Sequence, residues 1–253
     1  MRIKDIVSRG FASSNRSNDQ MPKVAVLGAL RCGTNYLKFL LESNYYVSAG
    51  FSEFGWKHAG VPIFNRGSGY EYPDVPLFYI VKNPYAFVVS LHRYYLALRR
   101  NIISHDEFGK FLTYPIVLHD SQLEHSPQMR FSNPIQYWNY VYWNLENLNK
   151  ERFRAFGFNY EDLLEDPGGI KTMERSFRLK KKTEETVIPR NQLKRLSGVI
   201  AGVARGEYET DKSFDSSYYL EKKYLEDYSS EQLRFIRNEV DPWLMARRKY
   251  PVV

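Results

Sequence analysis

The segment Gly28-Ala29-Leu30-Arg31-Cys32-Gly33-Thr34-Asn35 carries the G-x-x-x-x-G spacing of a phosphate loop. Backbone N–H groups at the start of a helix attract an anion there. In a nucleotide triphosphatase the next two residues would be Lys, for the β- and γ-phosphates, and Ser or Thr, for Mg²⁺. Here they are Thr34 and Asn35. The second apolar run, Leu77 to Val81, ends at Lys82, where such an enzyme has an Asp for the metal. The loop can take an anion, but both metal-handling residues are missing and the positive side chain lies inside the loop, at Arg31. That combination suits transfer of a group of low charge. A sulfuryl group bears about one negative charge fewer than a phosphoryl, so one cation near the bridging oxygen can stabilise the leaving phosphate. The same spacing also occurs in plain strand-to-helix turns, so the loop alone decides nothing.

An acceptor hydroxyl needs a base. His58, in Trp56-Lys57-His58-Ala59-Gly60-Val61-Pro62, is the best candidate, because an imidazole titrates near neutrality. A satisfied structural histidine is the plainer reading. Glu53 is the rival. The group His119-Asp120 and Glu124-His125 does not place its histidines at i, i+4 on one helical face, so it is read as no zinc site. The aromatic stripe from Tyr137 to Trp143 reads as core packing, and Lys180-Lys181-Lys182 as a solvated face.

These residues need strands and helices to position them. Lys23 to Leu27 reads as a buried strand, and the apolar spacing from Tyr36 to Glu42 as the helix after the loop. A second strand, Leu77 to Val81, is followed by a helix over Tyr85 to Leu98, with Pro84 near its first turn. Residues 50–76 are expected to be mostly loop, with a short strand near Phe54 to His58. Residues 99–133 are expected to form an irregular excursion. Asn133-Pro134 opens another helix. A strand near Phe153 to Phe158 follows, then basic helical material over 170–200. One amphipathic helix from about Ser230 to Ala246, with Ser-Ser-Glu-Gln capping chemistry, ends the chain. Strands alternating with helices predict an α/β fold, three-layered around a central parallel sheet.

The chain has 253 residues, room for one sizeable α/β domain (21–253) behind a floppy arm (1–20). A net charge of +7 favours an anionic ligand, but the basic residues are scattered and no nucleic-acid motif accompanies them. Cys32 is the single cysteine, which excludes an intrachain disulfide and makes a reducing, cytoplasmic compartment the default. No apolar run is long enough to span a membrane.

Three segments in order resemble the PAPS-dependent sulfotransferases, P-loop-like α/β enzymes that use 3′-phosphoadenosine-5′-phosphosulfate. Leu30 to Tyr36 resembles their 5′-phosphosulfate loop. Lys82-Asn83-Pro84-Tyr85-Ala86-Phe87-Val88-Val89-Ser90 resembles their 3′-phosphate motif, a basic residue with serine eight positions later. Phe158 to Pro167 looks like their Tyr-Glu-Asp-Leu segment. The resemblance implies that Arg31 holds the bridging oxygen, and that Cys32, Gly33, Thr34, Asn35 and Tyr36 line the 5′ end. It implies that Lys82 and Ser90 hold the 3′-phosphate, that Tyr160 contacts the adenine and that Lys57 reaches the sulfuryl oxygens. A histidine base some two dozen residues before the 3′-phosphate cation fits His58, 24 before Lys82. A carboxylate base, as in many carbohydrate-modifying members, would be Glu53.

The sequence departs from the pattern at Lys82, usually Arg and so lacking the bidentate fork, and at Tyr36, usually Trp. The family's C-terminal Arg-Lys-Gly clamp is not recognisable; Arg205-Gly206 or Lys212 are the substitutes at hand. The implied activity is metal-free sulfuryl transfer from PAPS to a hydroxyl or amine, with PAP as product. The acceptor is not encoded in any motif, and glycan, lipid and small molecule all stay open, as does the oligomeric state. A nucleotide kinase of the P-loop type and a non-catalytic nucleotide-binding protein are the alternatives.

Overall fold

β-Branched and apolar residues dominate Lys23–Leu27 (β1) and Leu77–Val81 (β3), and all of β3 and all but the first residue of β1 are buried. Such strands are stable only inside a sheet covered on both faces. The structure is a computed structural model that describes residues 21–62, 71–97, 108–118, 128–148, 152–188 and 216–253. The N-terminal arm, the histidine group at 119–125 and the basic residues at 205–212 lie outside the described residues.

β1 pairs in parallel with Ser48–Gly50 (β2) on one side and with β3 on the other. β3 pairs in parallel with a further strand, Ala155–Asn159, Leu77 lying opposite Ala155 and Val81 opposite Asn159. Between β3 and that strand the chain forms a small antiparallel ladder of Ile116–Leu118 (β4) with Met129–Phe131 (β5), so Ala155–Asn159 is β6. The central sheet has the order β2-β1-β3-β6. The chain leaves β1 toward β2 and returns on the other side with β3. The crevice at the carboxyl ends of β1 and β3 is therefore a topological switch point, where open parallel sheets bind ligands. Both chemistry-bearing segments, 28–35 and 82–90, start there.

The described helices are Thr34–Asn44 (α1), which packs on β1, β2 and β3, Pro84–Ala97 (α2), Phe108–Leu112 (α3), which packs on α2 and α4, Pro134–Glu146 (α4), Tyr160–Glu165 (α5), which packs on β6, and Glu174–Phe177 (α6). Ser217–Leu220 (α7), Ser230–Glu239 (α8) and Pro242–Arg248 (α9) complete them. Asn133 caps α4 by accepting from the Gln136 N–H, and Ser229 with Gln232 forms a full capping box on α8. Among the described residues no helix is long and apolar enough to cross a membrane, and no group of three His, Cys, Asp or Glu could hold a metal ion.

Several expected elements differ. The single final helix is two, because Asp241 caps a new start at Leu244 N–H and Pro242 cannot continue the preceding helix. Gly55 at φ 85° and Gly60 at φ 81° keep 54–58 out of strand geometry, leaving only an isolated bridge between Glu53 and Gly55. The third sheet strand is instead the short β2, whose Ser-Ala-Gly carries no β-branched signal. The basic stretch after Pro167 is helical only to Phe177, and its described remainder is irregular.

Candidate active site

The loop after β1 is shaped by two left-handed residues. Gly33 has φ 100° and Arg31 φ 63°, a region costly for any side chain but glycine's. A Cβ at Gly33 would meet the Tyr160 ring at 2.6 Å, so only glycine allows loop and ring to approach this closely. Several loop groups are already bound. The Leu30 N–H donates to Tyr137 Oη at 3.1 Å, and Tyr137 donates to the His58 carbonyl at 2.7 Å. The N-terminus of α1 carries no side-chain cap, in contrast to α4, α8 and α9. Its first N–H groups are thus a ready anion site.

The expected loop ligands divide by direction. Cys32 is fully buried, with both its N–H and its Sγ turned to the Ala29 carbonyl, at 3.3 and 2.6 Å. Burial pushes its thiol up to about 11. Cys32 therefore holds the turn closed and presents nothing to a ligand, which removes it from the expected anion contacts. Tyr36 donates to the Leu163 carbonyl at 3.1 Å and lies edge-on to Tyr160, so it braces that ring. Asn35 accepts from Lys57 Nζ at 3.0 Å. Lys57 sits over the Phe51 ring, 3.4 Å from its centre, and burial lowers its ammonium to about 8. A second cation thus stands at the start of α1. Arg31 itself is exposed and lies over the Tyr94 ring at 5.2 Å, toward α2.

His58 departs most from its expected part. It is 8% exposed, and Nδ1 lies 2.6 Å from the Gly28 carbonyl, which fixes that nitrogen as the donor. Burial, with the nearby Lys57 charge, lowers its pKa to about 3. The ring is a buried, neutral imidazole under the loop, with Nε2 left as its lone-pair nitrogen. Glu53 accepts from the Ser52 N–H at 3.2 Å, on the stretch that follows β2.

At the end of β3, the Lys82-Asn83-Pro84 turn is pinned from three sides. Trp138 Nε1 donates to the Lys82 carbonyl at 2.9 Å, Glu161 accepts from the Asn83 N–H at 3.1 Å, and Asn83 Oδ1 accepts from the Tyr85 N–H at 3.0 Å. Lys82 is held there at 3% exposure. Its Nζ lies 4.1 Å from the Tyr160 ring centre and 4.4 Å from that of Tyr219, and donates to Ser90 Oγ at 3.3 Å. Among the described residues no carboxylate forms an ion pair with it. Glu161, within electrostatic reach, is bound to Asn83 N–H and to the Tyr250 hydroxyl, and burial raises its carboxyl above the ordinary range.

Ser90 and Tyr94 are one turn apart on α2, so Lys82 and Arg31 approach the same helix face. Arg31 is also close enough to act electrostatically on both Tyr160 and Tyr219. The loop, Lys82, Ser90 and Tyr160 thus share one cleft, with Tyr160 as the wall between loop and lysine. Sequence reasoning missed Tyr219, Tyr137 and Glu161. Glu161 stands in the Tyr-Glu-Asp-Leu segment and Tyr137 in the aromatic stripe, neither with a role of its own, and for Tyr219 the Tyr218-Tyr219 pair is the local signal available.

Several solved structures resemble this chain, among them the following two. One is mouse sulfotransferase SULT7A1 complexed with PAP, with 11% identity, TM-score 0.44 and coverage of 92% of this chain and 86% of that one. The other is a sulfotransferase from Alicyclobacillus acidocaldarius, with 14% identity, TM-score 0.39 and coverage of 91% of this chain and 96% of that one. Both are sulfotransferases. No protein-family model matches the chain, and no curated protein does. At such identities and TM-scores the likeness adds no weight, and what the cleft does has to be read from its own residues.

Proposed function

We propose that the chain is a sulfotransferase that moves a sulfuryl group from PAPS to a hydroxyl or amine. The observation that carries this reading is Lys82, a buried cation with no carboxylate in ion-pair contact among the described residues. Burying an unpaired charge is costly, so such a lysine implies a bound anion. The second anion-binding feature, the uncapped start of α1, lies across the Tyr160 ring. A ligand with phosphate at both ends of an adenosine fits two such features in one crevice.

In this reading the α1 N-terminus and Lys57 hold the phosphosulfate end, and Lys82 holds the 3′-phosphate. Arg31, over Tyr94 between them, meets charge growing on the leaving phosphate. The acceptor oxygen forms its bond to sulfur as the bond from sulfur to the bridging oxygen breaks. PAP leaves with that electron pair, and the acceptor's proton passes to a base. Of the two candidate bases, Glu53 and His58 Nε2, we take Glu53 for this role, because burial makes the imidazole a weak base. Glu53→Gln is then expected to lower kcat by about 10²–10⁴-fold with PAP affinity kept.

The test is a screen with labelled PAPS over glycans, lipids and phenols, reading PAP formation with and without Mg²⁺. Label transfer without metal is expected. A strict Mg²⁺ requirement with phosphoryl transfer from a triphosphate would point to a kinase. PAP binding without turnover of any acceptor would leave a nucleotide-binding protein.

A further inference from the structure

The polar atoms around Lys82 carry a hydrogen-bond accounting that the motif does not reveal. Ser90 Oγ makes three contacts: the Ala86 carbonyl at 2.8 Å, Lys82 Nζ at 3.3 Å and Tyr219 Oη at 3.3 Å. A serine hydroxyl has one hydrogen and two lone pairs. A carbonyl can only accept, so the hydrogen of Ser90 goes back to Ala86, one turn earlier in α2. Lys82 can only donate, which takes one lone pair. Tyr219 must then be the donor in its contact with Ser90. Ser90 is left as an acceptor, and the donors beside it among the described residues are Lys82 and Tyr219.

Resting on the PAPS reading above, we propose that Tyr219 reads the 3′-phosphate: its hydroxyl, rather than that of Ser90, donates the neutral hydrogen bond beside Lys82, and Ser90 is the positioning residue that aims both donors. The phenol is held for this from several sides. Its ring stands edge-on to Tyr160, with centroids 5.2 Å apart, and edge-on to Tyr218 at the same separation. Tyr218 is tied to α2 because both its hydroxyl and Arg93 bind the Asp227 carboxylate, at 2.7 and 3.0 Å. Burial alone would raise the Tyr219 phenol. The adjacent Lys82 charge reverses this and leaves it below its ordinary value, which strengthens it as a donor.

The test is calorimetric titration of the full chain with PAP and with 5′-AMP, which lacks the 3′-phosphate, in the wild type, Tyr219→Phe and Ser90→Ala. The wild type is expected to prefer PAP. Tyr219→Phe is expected to lose roughly 10- to 100-fold in PAP affinity, the range for a hydrogen bond to a charged acceptor, with AMP affinity kept. Ser90→Ala is expected to lose less, because both donors remain. An unchanged ratio of PAP to AMP affinity in Tyr219→Phe would overturn the assignment, as would a larger loss in Ser90→Ala. A wild type that does not prefer PAP over AMP would overturn the PAPS reading itself, and this inference with it.

Discussion

Two buried cations, Lys82 and Arg248, show how differently this protein treats a charge taken out of water. Arg248, with its side chain 11% exposed, lies at the end of α9 on the carboxylate of Glu146, itself 3% exposed. It also donates to the Gly157 carbonyl at 3.1 Å and covers the Tyr79 ring. The protein supplies a carboxylate and a carbonyl for this charge, leaving Nε without a hydrogen-bond partner among the described residues. Lys82 is as deeply buried but has a serine hydroxyl and two aromatic faces, and no carboxylate among the described residues. A pair made within the chain holds the fold together. In the proposed reading, the missing partner of Lys82 is the phosphate of the donor nucleotide.

The contrast can be broken by mutation. The largest effect is expected for Arg248→Met, which takes one of the two arginine partners from the buried Glu146, Arg247 keeping the other oxygen, and should cost about 3 kcal/mol in a denaturant titration. PAP affinity of the folded fraction should not change.

A smaller effect concerns His58 and follows from its pKa of about 3 in the fold. The unfolded chain binds the proton more readily, so stability is complete above the ordinary histidine pKa near 6.5 and falls as pH drops toward 3. The slope due to this residue is about 1.4 kcal/mol per pH unit in mid-window. His58→Asn, which keeps a donor for Gly28 but does not titrate, should be less stable at pH 7. Its deficit relative to the wild type should shrink as pH falls. A constant deficit would show that the ring is not buried neutral.

Lys57 gives an effect of similar slope on rate. With its ammonium at about 8, sulfuryl transfer should decline roughly tenfold per pH unit above that value as the cation is lost. Lys57→Met should remove this alkaline limb from the kcat/KM profile. The smallest effect expected is on the stability of Lys82→Met. Removing an unpaired buried charge should leave thermal stability unchanged or slightly raised, the opposite of Arg248→Met.

Much of the fold could be read from local chemistry. The runs at 23–27 and 77–81, Pro84 at a helix start, the Asn133 cap and the Ser229 box all act within a few residues, and each matches its element. What failed depended on tertiary context. Ser48-Ala49-Gly50 becomes a strand only because β1 offers an edge, and Asp241-Pro242 breaks a helix inside an otherwise continuous apolar pattern. In the site, the motif spacing brought out Lys82 and Ser90, which do meet. It could not tell that Cys32 and His58 face the loop's own carbonyls, since side-chain direction is set by what packs beneath the loop. Nor could it reach Tyr219, which is 129 residues from Ser90 in sequence.

The central claim is that an incoming phosphate completes Lys82. Calorimetric titration of PAP into the wild type and Lys82→Met tests it most directly. The expected result is binding to the wild type and a loss of about 100-fold in the variant, the scale of a desolvated charged contact removed from a phosphate. Equal affinities in the two proteins would contradict the account.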